Sequence, residues 1–248
     1  MLEALRAGAE VHRLRVSETA EPTGALAAAL DEARARRVII DKVPAEALDA
    51  QSVTGRHQGI IAEVRLTPPL SLEALLARAR ASGADPFLVV LDGIEDPQNL
   101  GAIARSAEAA GAHGLVLAER HSAGISPGSL RASAGALLLL PVAVVPNVAR
   151  CLEALKAEGV WIAGADVEGG KPYHEASLTG PLALVVGGEA RGLHRLVRDR
   201  CDFLVTVPLK GKIDSLNASA AAAVVLFEVA RQRAAPAPAP KHRSANPK

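Results

Sequence analysis

The chain has 248 residues and a formal net charge of +1, and its length suits one large or two small domains. Hydrophobic residues make up 49% of the sequence and aromatic residues only 2%, so the core must be built mainly from alanine, valine and leucine. No apolar run approaches the roughly 20 residues that span a bilayer, and no signal-peptide pattern is found. We therefore expect a cytoplasmic protein without a membrane partner, in which Cys151 and Cys201 are free thiols.

The first 66 residues predict a small α/β unit. Its predicted elements are a helix that begins at Leu2, a strand over 11–16, a helix over 25–36, and short β-rich runs at 38–40 and 59–64. The sequence Thr67-Pro68-Pro69 then interrupts regular structure, which predicts a linker over residues 67–71.

From Leu72 onward the pattern alternates helices and strands. The predicted elements are helix 72–82, strand 87–91, helix 99–110, strand 114–117, strand 137–145, helix 148–158, strands 160–164, 182–186 and 203–207, and helix 215–233. This alternation favours an open, mostly parallel sheet covered by helices on both faces. Residues 234–248 alternate proline with alanine and then become basic, so we expect a disordered tail.

Several familiar sites are excluded by the sequence. Gly187-Gly188-Glu189 follows a strand, but Glu189 occupies the second glycine position of a dinucleotide fingerprint. Gly211-Lys212 lacks both the upstream glycine and the following serine or threonine of a phosphate-binding loop. The chain also lacks the metalloprotease pattern His-Glu-x-x-His and the redox pattern Cys-x-x-Cys. A nucleotide-dependent dehydrogenase and a metal-dependent hydrolase therefore have no support.

A ligand site is predicted where three strands run into loops. Ligands of open α/β sheets bind beyond the carboxyl ends of the strands. The strands that end near Leu91, Val186 and Val207 each continue into glycine, proline and polar residues. These loops supply the carboxylate of Glu189 and small residues, but no phosphate cradle. Such a site fits a positively charged, nucleoside-like ligand, of which S-adenosylmethionine is an example.

Each polar residue near these loops also has an ordinary structural explanation. Asn99 could cap the helix that follows it, and Arg105 could be a surface cation. Ser215 and Asn217 could cap the last helix. Glu189 fits an ordinary solvated turn less well, because three glycines surround it. The residues alone leave these alternatives open.

Three stretches, in this order along the chain, resemble the three motifs of the SpoU family of RNA ribose 2'-O-methyltransferases. They are Asp96-Pro97-Gln98-Asn99-Leu100-Gly101-Ala102-Ile103-Ala104-Arg105, the segment 184–193, and the segment 207–219. Residues 1–66 resemble the family's auxiliary RNA-binding domain of the L30e ribosomal-protein type, through Glu3-Ala4-Leu5-Arg6-Ala7-Gly8 and His57-Gln58-Gly59-Ile60. The combination is most similar to the bacterial subgroup that methylates a guanosine in the P-loop of 23S rRNA.

The resemblance implies an α/β architecture with two domains. The catalytic domain, residues 72–233, would have the SPOUT α/β-knot fold, a mostly parallel sheet with a deep trefoil knot. An L30e-like domain, residues 1–66, would precede it. The implied cofactor is S-adenosylmethionine, without a metal. The implied partners are RNA, as 23S rRNA or an early large-subunit particle, and a second copy of the chain, with the sites near the dimer interface.

The resemblance also assigns roles to individual residues. The cofactor would contact Gly187, Val207 and Leu216, largely through backbone groups. The family's catalytic positions correspond to Asn99, Arg105, Glu189, Ser215 and Asn217. Because arginine stays protonated in proteins, we expect Arg105 to grip a phosphate and hydrogen-bond the 2'-oxygen, not to act as a simple base. Ala190 stands where the family usually has glycine.

Two further functional alternatives remain open at this point. One is methylation of tRNA or of another rRNA site, and the other is a non-catalytic RNA-binding protein. Residues 1–66 contain no aromatic residue, so this part of the chain cannot bind RNA by base stacking. We expect it to read RNA shape and backbone through the His57-Gln58-Gly59 turn and a set of arginines, namely Arg13, Arg15, Arg34, Arg36 and Arg37.

Overall fold

The computed structural model describes residues 2–6, 8–52, 57–189 and 191–234. The predicted tail lies outside these residues except for Ala234, which ends the last helix instead. The first unit contains α1 Leu2–Arg6, β1 Val11–Ser17, α2 Gly24–Ala35, β2 Ile39–Val43, α3 Ala45–Gln51 and β3 Ile60–Val64. Helix α3 was not predicted; the other elements of this unit lie close to their predicted places.

The amino-terminal unit is a mixed sheet with its own core. Strand β1 lies in the middle, parallel to β2 and antiparallel to β3. Helix α2 makes the crossover between the two parallel strands. Leu5, Leu14, Leu30 and Ala33 are buried together in a cluster formed within this unit. Burial of such side chains contributes about 1.5–3 kcal/mol for each large aliphatic group.

The second unit contains the remaining elements. They are α4 Leu72–Ala81, β4 Phe87–Asp92, α5 Pro97–Ala109, β5 Gly114–Ala118, α6 Pro127–Ala132, β6 Val142–Val145, α7 Val148–Ala157, β7 Trp161–Ala165, β8 Lys171–Pro172, β9 Leu182–Gly187, α8 Arg195–Arg198, β10 Phe203–Thr206 and α9 Ala218–Ala234. Among the described residues, these strands form a seven-stranded sheet in the order β6-β5-β4-β9-β7-β10-β8. All its strand pairs are parallel, which confirms the predicted open parallel sheet. The knot itself stays a prediction of the resemblance.

Helices cover both faces of this sheet, as the apolar strands predicted. Every residue of β4 is buried. Phe87, Val89 and Leu91 face a cluster with residues of α5 and α9, whereas Leu88 and Val90 face residues of α4 and α7. A strand that buries both of its faces needs a continuous apolar run, and the run from Phe87 to Leu91 provides one.

The predicted strand over 137–145 is wrong in its first half. Residues Ala136–Leu138 form a turn of 3-10 helix, and the strand begins only at Val142. Gly135, directly before this turn, has a φ of 96°, which glycine adopts without strain, and Leu137 and Leu140 after it are buried in the core. A short apolar run has no periodicity that separates a buried turn from a buried strand.

Helix α5, which carries Asn99 and Arg105, packs unusually close to α6. A Cβ atom at Gly101 would lie 2.4 Å from the Cβ of Ala132 and 2.6 Å from the carbonyl oxygen of Ser129. Glycine in a helix interior costs about 1 kcal/mol relative to alanine. The glycine here permits the close approach that fixes the position of α5 against its neighbour.

The two cysteines are free, as predicted, and both are largely enclosed. Burial raises the pKa of the Cys151 thiol to about 12, and burial also raises the pKa of the Cys201 thiol to about 12. Thiols that stay protonated at neutral pH are poor nucleophiles. In the described parts of the chain, no helix combines the length and apolar character needed to cross a bilayer.

Candidate active site

A cavity of about 690 Å³ opens at the carboxyl ends of the central strands. Its floor contains the last residues of three strands, Gly187 of β9, Ala165 of β7 and Thr206 of β10. The segment 207–216, which connects β10 to α9, forms another wall. This is the place that the open sheet predicts for a ligand, and the volume lies within the range of about 300–1,000 Å³ that is usual for small-molecule sites.

The structure brings the three predicted cofactor-binding residues to this one cavity. Gly187, Val207 and Leu216 all line it, although Leu216 follows Gly187 by 29 residues in the sequence. Glu189 and Ser215 line it as well. Contact between these residues and a cofactor stays a prediction. The unusual Ala190 lies outside the described residues.

Three of the predicted catalytic side chains form one hydrogen-bonded cluster. Asn99 Nδ2 donates to Glu189 Oε1 at 3.0 Å, and Asn217 Nδ2 donates to Asn99 Oδ1 at 2.9 Å. Asn217 Nδ2 also donates to Glu189 Oε1. The three residues come from the three separate motifs. Because Glu189 lines the cavity, the cluster joins the first and third motifs to the cavity wall.

Asn217 is also the cap of α9. Its capping role and its place in the predicted catalytic cluster are therefore compatible. Its Oδ1 accepts the backbone N–H groups of Ser219 at 3.0 Å and Ala220 at 3.3 Å. The helix therefore begins at Ala218, and its predicted start at Ser215 is wrong. Because Oδ1 is held by the helix, Nδ2 must point toward Glu189 and Asn99, which fixes the direction of every bond in the cluster.

Asn99 does not cap its own helix. The cap of α5 is Asp96, whose carboxylate accepts the Gln98 backbone N–H at 3.0 Å, and Pro97 occupies the first helical position. Asn99 lies in the first turn and is buried, with 7% of its surface exposed. A buried amide needs hydrogen-bond partners, and Glu189 and Asn217 supply them.

Arg105 lines a different cavity from Glu189. It lies six residues after Asn99 on α5, which is roughly 9 Å along the helix and about 120° around it. Its exposed side chain lines a second, smaller cavity of about 250 Å³, together with Ser133, Ala134 and Leu139. Of the predicted catalytic residues, Glu189 and Ser215 line the main cavity and Arg105 lines the smaller one, whereas Asn99 and Asn217 are hydrogen-bonded to Glu189.

Asp166 is a cavity residue that the sequence analysis missed. It follows the end of β7, and only 11% of its side chain is exposed. Its Oδ2 accepts from Arg198 Nε at 2.8 Å. No motif surrounds this aspartate, and its position directly after a buried strand was the one signal that could have indicated it.

A Gly-x-Ser-x-Gly spacing occurs at residues 124–128, the pattern of a hydrolase nucleophile elbow. Ser126 has a different task here, because it caps α6 and its Oγ accepts the backbone N–H of Ser129. Such an elbow also needs a strand directly before the serine, whereas β5 ends at Ala118. The spacing therefore does not indicate a hydrolase.

The chemistry of the main cavity fits S-adenosylmethionine. Apolar side chains, among them Val207, Leu209 and Leu216, offer a surface for an adenine ring. The carboxylates of Asp166 and Glu189 on its walls suit a ligand with cationic and hydroxyl groups. Within the described residues, no group of three or more histidine, cysteine, aspartate or glutamate side chains is arranged to hold a metal ion.

The arginines expected to contact RNA in the first unit are mostly engaged with carboxylates of the same unit. The ion pairs are Arg13–Asp41 at 2.5 Å, Arg15–Glu63 at 2.6 Å, Arg34–Asp31 at 2.8 Å and Arg36–Glu32 at 2.6 Å. Pairing lowers the positive potential that these side chains offer to phosphate groups. Contact between these arginines and RNA stays a prediction, and their carboxylate partners were not visible in the sequence.

The predicted turn at His57-Gln58-Gly59 is well defined. Gln58 and Gly59 both have positive φ, 49° and 79°. The backbone N–H of Gly59 donates to His57 Nδ1 at 3.0 Å, so the ring proton lies on Nε2 and is donated to Asp49 Oδ1, also at 3.0 Å. These bonds hold the ring of His57 in place and leave Gln58 exposed at the tip.

Two family models match the chain. The model described as "SpoU rRNA Methylase family" matches residues 86–227, and the model described as "RNA 2'-O ribose methyltransferase substrate binding" matches residues 1–69. A Bacillus subtilis protein named for the TrmH family of tRNA/rRNA methyltransferases, YacO, is 39% identical over 233 residues, which are 94% of this chain and 93% of the relative.

A second relative and a solved structure agree with these matches. A Pseudomonas putida protein named 23S rRNA (guanosine-2'-O-)-methyltransferase RlmB is 41% identical over 200 residues, 79% of each chain. The crystal structure of the SpoU methyltransferase AviRb from Streptomyces viridochromogenes, in complex with the cofactor AdoMet, matches with a TM-score of 0.73. It is 31% identical, over 92% of this chain and 85% of that one.

Proposed function

This chain belongs to the SpoU rRNA methylase family, and we propose that it methylates the ribose 2'-hydroxyl of a guanosine in the P-loop region of 23S rRNA. The family makes it an RNA 2'-O-methyltransferase that uses S-adenosylmethionine and carries an RNA substrate-binding domain. The structural observation that supports methyl transfer is the cluster of Asn99, Asn217 and Glu189, the last of which lines the main cavity.

The cofactor supplies a methyl group activated by a positively charged sulfur. The work of the chain is then mainly alignment, which can contribute about 7–11 kcal/mol to lowering a barrier. Glu189, held by two amide donors, fixes one wall of the cavity against the start of α9. Ser215, which lines the same cavity, would hydrogen-bond the ribose.

Arg105 would act on the oxygen that is methylated. A 2'-hydroxyl becomes a better nucleophile as its proton leaves, and the resulting negative charge is stabilised by a fixed cationic donor. The planar guanidinium can also hold the neighbouring phosphate through two parallel bonds. The exposure of Arg105 on α5 leaves it within reach of an RNA strand lying over the domain.

The choice of 23S rRNA is supported by the relative from Pseudomonas putida, which is 41% identical over 79% of this chain. A tRNA target is the alternative, because the name of the Bacillus subtilis relative includes both RNA classes. Residues 1–69 match a substrate-binding model, and we infer that this unit selects the RNA. It would do so by shape and backbone contacts, since stacking on aromatic side chains is not available to it.

The substrate can be tested by offering the purified protein three RNAs with labelled S-adenosylmethionine. We expect methylation of free 23S rRNA transcripts and little of tRNA transcripts or of mature large subunits, in which the P-loop ribose is enclosed. Mapping of the modified nucleotide on the transcript gives the site. Efficient labelling of tRNA with none of 23S rRNA would instead select the tRNA alternative.

We also propose that the protein is a homodimer formed through α9. The inner face of this helix is buried in the core, yet its outer face carries Ala220, Ala223, Val224 and Phe227, at helical spacing. Phe227 leaves 52% of its surface exposed. A helix that is apolar on both faces is normally covered on both, and a two-fold contact would bury the same patch on each subunit.

The dimer is tested by sedimentation of a Phe227→Asp variant. We expect the wild-type chain to sediment as a dimer and the variant as a monomer, because a carboxylate in an apolar interface would lose its hydration. The matched control is Leu196→Asp, since Leu196 is 67% exposed on α8. A wild-type protein that stays monomeric at high concentration would contradict the proposed dimer.

A further inference from the structure

A buried carboxylate lies beneath the glycine loop, defined as residues 188–189 and 191–194. Asp92 is the last residue of β4, and only 5% of its surface is exposed. Its Oδ2 accepts the backbone N–H of His194 at 2.7 Å, and its Oδ1 lies 2.9 Å from His194 Nδ1. Since an ionised carboxylate only accepts hydrogen bonds, His194 Nδ1 carries the proton. Both carboxylate oxygens are thus engaged by one residue of the loop.

The same aspartate holds the other end of the loop through its main chain. Asp92 pairs with Gly187 in the parallel ladder, and its carbonyl oxygen accepts the Gly188 N–H at 3.0 Å. The loop then closes on itself, because the Gly192 N–H donates to the Gly188 carbonyl oxygen at 2.9 Å. One residue of β4 therefore fixes both the beginning and the end of the loop.

The residues around this attachment are also tightly packed. A Cβ atom at Gly188 would lie 2.4 Å from the carbonyl oxygen of Gly93, and one at Gly93 would lie 3.1 Å from His194 Cε1. Gly93 also has a φ of 72°, which glycine adopts without strain. The backbone after β4, the start of the loop and the ring of His194 are therefore packed against one another.

We propose that Asp92 and His194 form a latch that positions the glycine loop for the methyl-transfer reaction. Glu189 belongs to this loop and accepts hydrogen bonds from Asn99 and Asn217, so a shift of the loop would displace the catalytic cluster. The latch rests on the proposed function of the cavity. His194 is not among the described residues that line the cavity, so it acts through the loop and is a positioning residue.

The latch predicts a graded set of substitutions at Asp92. In Asp92→Ala both acceptors are lost and the loop end is released. In Asp92→Asn one oxygen remains for the His194 backbone N–H, while the new amide N–H can donate to Nδ1 if the ring changes its tautomer. We therefore expect the dissociation constant for S-adenosylmethionine to rise at least tenfold in Asp92→Ala and only a few-fold in Asp92→Asn.

Asp202 offers a matched control elsewhere on the same sheet. Its Oδ2 accepts the Ile162 backbone N–H at 2.8 Å, and its Oδ1 lies 2.8 Å from Lys156 Nζ. The pattern resembles that of Asp92, but Ile162 lies near the start of β7, at the edge of the sheet opposite the cavity. We expect Asp202→Ala to lower the melting temperature while cofactor affinity and kcat stay within twofold of wild type.

If Asp92→Ala does not fold, two substitutions of His194 test the latch instead. His194→Phe keeps the backbone hydrogen bond to Asp92 and removes only the ring donor. His194→Asn restores a side-chain donor close to the ring nitrogen. We expect His194→Phe to raise the dissociation constant several-fold and lower kcat, and His194→Asn to recover much of both.

The readouts are titration with S-adenosylmethionine, kcat on 23S rRNA, and thermal unfolding of each full-length variant. The latch is overturned if folded Asp92→Ala or His194→Phe protein binds the cofactor and turns over within twofold of wild type. It is equally overturned if those variants change only the melting temperature, as the Asp202 control does. A wild-type protein that binds no S-adenosylmethionine would instead count against the function of the cavity.

Discussion

Replacing Arg105 by alanine is expected to reduce methyl transfer by about 10²–10³-fold, the range found when one donor that stabilises a developing oxyanion is removed. Binding of S-adenosylmethionine should stay within a few-fold of wild type. The reason is spatial: Arg105 lines the smaller cavity beside Ser133 and Leu139, whereas the predicted cofactor residues line the main one. Single-turnover kinetics and cofactor titration measure the two effects separately.

Arg105→Lys should remain poor, because a point charge cannot reproduce the two parallel bonds of a guanidinium to phosphate. The control is Arg150→Ala, since Arg150 is an exposed arginine on α7, on the other face of the sheet. We expect that control to behave like wild type. Loss of cofactor binding in Arg105→Ala would place Arg105 in the cofactor site and contradict its assignment to the RNA.

A second large effect is expected for Gly187→Ala, which should weaken S-adenosylmethionine binding by about 10- to 100-fold. The added Cβ would lie 2.2 Å from the carbonyl carbon of Gly192, 2.4 Å from its oxygen and 2.5 Å from the Leu193 nitrogen. All three atoms belong to the backbone, so the loop itself must move. Forcing extra atoms into a packed site costs about 1–3 kcal/mol, and about 1.4 kcal/mol corresponds to tenfold in affinity.

Gly211→Ala is the matched control for this substitution. Gly211 lines the same cavity, but its added Cβ would meet only the Ile213 nitrogen at 3.9 Å, an ordinary contact. We expect the control to bind S-adenosylmethionine within about twofold of wild type. Titration calorimetry on both variants gives the comparison, and equal affinities would show that the loop does not form the cofactor wall.

The parts of the fold that could be predicted are those with a strong local signal. The buried runs at Phe87–Leu91 and Leu182–Val186 have no polar alternation, and such strands must be covered on both faces. The gathering of Gly187, Val207 and Leu216 in one cavity follows from strands that end at the same edge of a parallel sheet. The three motifs gave these positions, and their chemical roles stay predictions.

Other features depend on contacts that no local pattern encodes. From the sequence, Asn217 could be a helix cap or a catalytic residue. In the structure its Oδ1 caps α9, while its Nδ2 donates hydrogen bonds to Glu189 and Asn99. The position of Arg105 at a second cavity follows from the helical rotation between positions 99 and 105, which motif membership does not convey. The bonds between Asp92 and His194 join residues 102 positions apart, and neither has a flanking signal of its own.

The exact ends of helices and strands were also not predictable from the sequence. Helix α9 begins at Ala218 and not at the predicted Ser215, because the Asn217 side chain accepts hydrogen bonds from the first backbone N–H groups of the helix. The leucines at 137–140 were taken as strand because only their apolar character was visible in the sequence. The ion pairs of the amino-terminal arginines likewise depend on strand pairing, which places Asp41 and Glu63 beside β1.

The most direct test of the central claim is the chemical identity of the methylated product. Purified protein would be incubated with isotopically labelled S-adenosylmethionine and free 23S rRNA, and the RNA digested to nucleosides for mass spectrometry. The proposed function predicts label in 2'-O-methylguanosine, and the hydrogen-bonded cluster beside the main cavity predicts that this label is absent when Asn217→Ala replaces the wild-type protein. Label on a base, or no label in RNA from a protein that binds the cofactor, would contradict the account.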